Sequence, residues 1–130
     1  MPTPNSVPRF VDAAILAVGQ VTTANTNRDG TGAVVTILTA GAQGTQIDLI
    51  RVVATGTTTA GVVRLFIHDG SVFRLYEEIL VTAITPSTTT AVFEAEFVPT
   101  KPLVLPTGYS LRASTNNTET FNIHVSGGTY

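Results

Sequence analysis

GVVRLFIHDGSVFRLYEEILVTAI, Gly61 to Ile84, joins two runs of alternating apolar and polar residues through Asp69-Gly70. Asp-Gly between alternating runs is a strong β-hairpin signal, because glycine supplies the positive φ that reverses one strand into the next. The class that follows is all-β. One residue resists the pattern. Strict alternation sets Glu77 on the face of Phe73, Leu75, Ile79 and Val81, which is costly for a carboxylate without a partner. Either a bulge re-aims Glu77 or an arginine of a neighbouring run, Arg51 or Arg64, meets it across strands.

Outward from the hairpin, about eight strand-like runs are separated by turn signals, with no helical period of any length. Phe10 to Thr23 is the first; Asp12 to Ala17 would also suit a short helix, but Val-Gly-Gln-Val-Thr-Thr after it favours strand. A loop from Asn25 to Gly32 leads to Ala33–Ala40, and Gly41 to Gly44 turns the chain into Gln46–Thr55. Beyond the hairpin, Ala91–Val98 puts Phe93, Ala95 and Phe97 on one face and Glu94 and Glu96 on the other, the pattern of a half-buried antiparallel strand. Pro99, Pro102 and Pro106 confine Leu103–Leu105 to an edge or an irregular connection. Tyr109–Ser114 sets Tyr109, Leu111 and Ala113 opposite Arg112, and Phe121–Val125 turns Phe121, Ile123 and Val125 inward and Asn122 and His124 outward. Short strands at this spacing predict an antiparallel two-sheet sandwich over residues 10–130, jelly-roll-like by strand number. Connectivity stays open, as does an immunoglobulin-like arrangement, although the Cys and Trp hallmarks of antibody domains are absent. Residues 1–9, MPTPNSVPR, contain three prolines and no period, and are expected to form an extended arm, either a free tail or a hook on a neighbouring subunit.

Composition limits the functional classes. The 130 residues fit one domain with a core of its own. With no Cys there is neither a disulfide framework nor a thiolate zinc site. A net charge of -2 with the seven basic residues scattered singly argues against a nucleic-acid binder. Charged residues make up 12% of the chain, against about 25% in ordinary soluble domains. The surface must therefore be built largely from Thr, Ser, Asn, Gln and Gly. Two readings follow: a Thr-rich β-protein with short loops, or an assembly component whose apolar surface is covered by neighbours. The apolar run from Phe10 to Val18 is broken by Asp12 and lacks a basic leader, so it fails as a signal peptide and falls short of the ~20 residues of a spanning helix. A soluble protein made in the cytoplasm is the expectation, with no membrane partner.

The chemistry-bearing residues form no constellation. Asn25-Thr-Asn-Arg-Asp-Gly30 imitates the start of an EF-hand loop, but Thr36 stands where the bidentate Glu is needed and no flanking helices are expected. His68 and Asp69 share the hairpin tip; Asp48 is the only obvious further ligand and His124 the only other histidine, short of the three or four convergent groups a metal requires. A His/Asp/Ser triad lacks a nucleophile elbow. Glu77 and Glu78 are adjacent, so on a strand they point apart and cannot act as a glycosidase pair. Tyr76, Tyr109 and Tyr130, with no Trp, make a thin sugar-stacking platform, and Asn116-Asn117-Thr118 matches the glycosylation sequon without an export signal. No catalytic, cofactor-binding or metal-ligating residue is assigned, and no cofactor is expected.

Three stretches carry a resemblance to small virion structural proteins of tailed bacteriophages: Asn27-Arg-Asp-Gly-Thr-Gly32 before a Val/Thr strand, Gly56-Thr-Thr-Thr-Ala-Gly-Val-Val-Arg-Leu-Phe-Ile67, and Leu105-Pro-Thr-Gly-Tyr-Ser-Leu-Arg-Ala-Ser114 ahead of Gly127-Gly128-Thr129-Tyr130. The resemblance covers most of the chain. It implies a jelly-roll head decoration (cement) protein or a related tail or spike component, located in the virion and without an enzymatic site. It further implies binding to the major capsid protein or other virion proteins. Docking at a symmetric site makes a closed homo-oligomer, most simply a trimer, the natural expectation. The alternative is a receptor- or glycan-binding module of a tail fibre or spike.

Overall fold

The computed structural model describes residues 11–99, 101 and 103–130. The expected arm, residues 1–9, and the start of the first strand at Phe10 lie outside the described residues. Nine strands follow in order: β1 (Ala13–Val21), β2 (Val35–Thr39), β3 (Thr45–Ala54), β4 (Gly61–His68), β5 (Phe73–Val81), β6 (Glu94–Phe97), β7 (Leu103–Leu105), β8 (Ser110–Thr115) and β9 (Phe121–Thr129). They form two antiparallel sheets. The first runs β1-β9-β3-β6, with β7 pairing the start of β3 beside β6; the second runs β2-β8-β4-β5.

This order is what results when a chain is doubled back on itself and the double ribbon is wrapped. The tip of the ribbon is the β4–β5 hairpin, and working back from it the paired strands are β3 with β6 and β7, β2 with β8, and β1 with β9. Successive pairs fall in alternate sheets, and the β9–β3 and β8–β4 ladders join neighbouring turns of the wrap. The sandwich is thus a jelly roll, and the hairpin of residues 61–84 is the point about which the chain folds back.

The core lies between the sheets and follows the alternation of each strand. Ile47, Ile50, Val52, Val63, Leu65, Leu111, Ala113, Ile123 and Val125 are fully buried in it. Phe93 packs edge-on against Phe121, with ring centroids 6.3 Å apart. Phe93, Ala95 and Phe97 face inward, while Glu94 and Glu96 face outward to Arg51, as their alternation requires. The regular part of that run is shorter than expected, four residues. Conversely, β9 continues past Val125 through Gly127 and Gly128 to Thr129. A Cβ at Gly127 would fall on the backbone carbonyl of Gln46, and one at Gly128 on the side chain of Val11. Two residues without side chains let the central strand hold its neighbours where alternation alone would end it.

A bulge is present beside Glu77, but it does not re-aim that residue, which stays opposite Leu65 on the face of Ile79 and Val81. Leu65 pairs with Glu77 and Phe66 with Leu75, so Tyr76 is the extra residue in β5. The extra residue reverses the parity of the strand on either side of it. Ile79 and Val81 stay with the core, whereas Phe73 and Leu75, expected on the same face as Glu77, move to the outer face beside His68 and Phe66. Glu77 is half-buried and its Oε1 accepts the backbone N–H of Glu78 at 3.0 Å. Neither Arg51 nor Arg64 pairs with it: Arg51 meets Glu94, and Arg64 meets Glu78.

Candidate functional site

The bulge builds a second layer on the outer face of the second sheet. Side by side there lie Arg64, Phe66 and His68 of β4, Phe73, Leu75 and Glu78 of β5, and Arg112 of β8. Phe66 is fully buried although it belongs to no part of the core between the sheets. Its ring meets Phe73 edge-on at 6.1 Å, and the Arg112 guanidinium sits 5.2 Å from the centre of the Phe73 ring. The loop after β1 covers this layer. Gly30, at φ +87°, lies so close to Phe73 that a Cβ would overlap its ring. Both the left-handed backbone and the contact demand glycine there.

At the centre of the layer, Arg64 is 2% exposed. It donates from Nε to Glu78 Oε2 at 2.9 Å, from Nη1 to the Asn25 carbonyl at 2.9 Å, and from Nη2 to Asn116 Oδ1 at 3.1 Å. Arg28, in the covering loop, donates to the same Glu78 oxygen at 2.8 Å. A buried guanidinium is tolerable only when its donors are taken up in this way. The Arg28 hydrogen bond holds the Glu78 carboxyl below its usual range against the opposing effect of burial, and Arg64 adds to the lowering. Alternation points to Glu77 as the carboxylate for Arg64; the bulge passes that role to Glu78. Asn116 carries no signal in the sequence beyond the sequon, and its side chain is engaged with Arg64 and with Asn117.

The loop that imitates an EF-hand is held in shape by its own contacts. Asn25 Nδ2 donates to the Thr31 and Ala33 carbonyls at 2.8 and 3.0 Å, and its Oδ1 accepts the Asn27 N–H. Asp29 Oδ1 accepts both the hydroxyl and the N–H of Thr31, which lower its carboxyl below the usual range. Its oxygens thus shape the turn.

The hairpin tip is likewise internally bonded. The Asp69 carboxylate accepts the N–H groups of Val72 and Ser71, which together with Arg74 hold it below its usual range. His68 Nδ1 accepts the Gly70 N–H at 3.2 Å, and its ring lies 4.5 Å from that of Phe73. His68 is half-buried by this stacking. His68 and Asp69 thus engage the turn and not each other. The two remaining candidates are in the other sheet: His124 on β9, and Asp48 in a second bulge, of β3. Among the described residues no three His, Asp or Glu side chains gather as metal ligands, and no pocket is present. The tyrosines are also apart: Tyr76 packs on Phe97 at the border of the core, where partial burial and then the Glu77 charge push its phenol up; Tyr109 borders the core; Tyr130 donates its hydroxyl to Gln46.

No family model matches the chain, and no curated protein matches it. Among solved structures it is similar to two crystal structures, each of a pentameric capsid protein isolated from metagenomic phage sequences. One has 12% identity and a TM-score of 0.45 over 93% of this chain. The other, solved by iodide SAD phasing, has 14% identity and a TM-score of 0.40, also over 93% of this chain. The chain spans 64% and 65% of the length of those proteins.

The layer under residues 25–32 therefore fastens a loop to a sheet: Arg64 reaches the Asn25 carbonyl and Glu78 accepts from Arg28, while the Nη2 bond of Arg64 ties in Asn116 beyond β8. The unsatisfied surface lies elsewhere, on strand edges. Leu16 and Val18 point outward from β1 at 67% and 56% exposure, and Leu80 from β5 at 70%.

Proposed function

We propose that this chain is a non-enzymatic structural protein of a tailed-phage virion, a decoration (cement) protein that binds the major capsid protein or a neighbouring virion protein and stabilises the head. The observation that carries the reading is the pairing of a very low charge content, 12%, with large aliphatic side chains left together on an uncharged edge strand, Leu16 and Val18 of β1. Soluble monomers scatter such residues singly, whereas surfaces meant for covering collect them in places poor in charge. The sequence resemblance and the jelly-roll wrap fit the same role. Stabilisation would act by mass action, since a partner that binds only the assembled shell lowers the free energy of that shell. A closed homo-oligomer, with a trimer matched to a three-fold docking site, belongs to this proposal. A glycan-binding module would gather aromatic rings on one exposed face; Tyr76 and Tyr109 instead pack against the core.

The test is sedimentation with purified heads stripped of accessory proteins, followed by heating or osmotic shock. The proposal expects saturable co-sedimentation and heads that survive a harsher challenge. A protein that stays in the supernatant at every concentration, or that binds host cells or a glycan array instead, would defeat it.

A further inference from the structure

The four sheet edges of the sandwich are not alike. An edge strand presents unpaired N–H and C=O groups to any passing strand, and folds blunt such edges with charge, bulges, proline or shortness. β5 carries Arg74, Glu77 and Glu78 and the Tyr76 bulge. β6 is four residues long, carries Glu94 and Glu96, and leads into Pro99. β2 has five residues and is bulged at Ile37. β1 has none of these devices. Its nine residues, AAILAVGQV, contain no charge and no proline, and its register with β9 runs unbroken from Ala13 to Val21. Among the described residues β9 is its only strand partner.

We infer that β1 is an interface between two copies of this chain, the two β1 strands pairing antiparallel about a two-fold axis through Ala17 so that the first sheet continues from one copy into the next. The strand suits a copy of itself. Ala17 is the middle residue of Ala13–Val21, so this register pairs all nine residues. On the outer face it sets Leu16 beside Val18 of the second copy, twice over, and joins four aliphatic side chains into one patch. On the inner face it sets Ile15 opposite Gly19, a large residue against one without a side chain. No like charges meet, because none are present; Asp12 falls opposite Thr22. The edges of β5 and β6 suit β1 less well, since their carboxylates would lose water against an uncharged strand without gaining a cation. A two-fold contact is self-complementary and adds to any three-fold one: it joins monomers into dimers, or trimers into hexamers. It holds whether or not the chain belongs to a virion.

The test is native mass spectrometry of the full chain and of charge-swapped variants. The native protein is expected to contain an even number of copies. Leu16→Lys/Val18→Lys places four like charges in the shared patch and should halve the mass, as should Leu16→Glu/Val18→Glu; both positions are largely exposed, so the fold tolerates either change. Mixing the two variants should restore the full mass as mixed pairs, because position 16 of one copy meets position 18 of the other. A native protein with an odd number of copies, a variant whose mass is unchanged, or a mixture that stays at half mass overturns the inference. The mixture also separates lost pairing from lost folding, since misfolded variants would not reassemble.

Discussion

The outer layer of the second sheet and the β1 edge of the first are both made of strand residues that point away from the core, and they invert the usual order of burial. On the second sheet an arginine, Arg64, is buried with each of its three guanidinium nitrogens engaged. On β1 a leucine and a valine stand in solvent with no charge near them in the strand. Side-chain type alone would reverse these places. Burial instead follows from what covers a face. The chain supplies a loop, residues 25–32, over one face, and a second copy, paired at the β1 edge, supplies lateral neighbours for the side chains of the other.

The comparison breaks first if the layer beneath the loop is not a true second core. Phe66 lies in that layer and Phe121 in the core between the sheets, and both are fully buried. Phe66→Ala and Phe121→Ala should each cost about 3–5 kcal/mol in urea denaturation; a loss below ~1 kcal/mol for Phe66→Ala alone would reduce the outer layer to a surface ornament. Next come the two arginines that share Glu78. Arg64→Ala leaves a carboxylate, an amide and a carbonyl short of donors and should cost about 3 kcal/mol. Arg28→Ala removes a bond of nearly the same length from an exposed position and should cost less than ~1 kcal/mol. Equal losses would mean that burial does not set the value of the pair.

The pH dependence sharpens the same point with a smaller effect. The Glu78 carboxyl is lowered in the folded state by Arg28 and Arg64 from its ordinary value of 4.5. Its ionised form therefore contributes stability that is complete above that value and is lost as the pH falls through the lowered one. The stability gap between the native protein and Glu78→Gln should hold constant from neutral pH to about pH 5 and narrow below it. A gap that widens on acidification would reverse the sign and remove the ion pair from the account. Smallest of all is Leu16→Ser: at concentrations where copies are dispersed, its folding stability should stay within ~0.5 kcal/mol of the native value.

Period-two alternation suffices to face Phe93, Ala95, Phe97, Phe121, Ile123 and Val125 correctly, because a one-residue error would expose the whole set. The bulge at Tyr76 shows in the sequence only as a conflict, a carboxylate on an apolar face; its place, and the transfer of Arg64 from Glu77 to Glu78, depend on the register with β4, which is set by contacts distant in sequence. Strand order is illegible for the same reason. β1 pairs with β9 across more than a hundred residues, and nothing local to either strand names the other. The layer around Arg64 is hidden more deeply, since Asn25, Arg64, Glu78 and Asn116 come from four separate segments and each looks like an ordinary surface residue in its own. The β1 edge, by contrast, is legible in part: the uncharged run from Ala13 to Val21 is plain in the sequence, and only its position at the rim of a sheet requires the fold.

Amide hydrogen exchange on the full chain, read strand by strand at a low and a high protein concentration, bears most directly on the contrast between a closed face and an open edge. Exchange in β1 should slow as concentration rises, while β4, β8 and the loop over residues 25–32 stay equally protected at both. Exchange in β1 that is the same at both concentrations, or protection that grows on β5 instead, would contradict it.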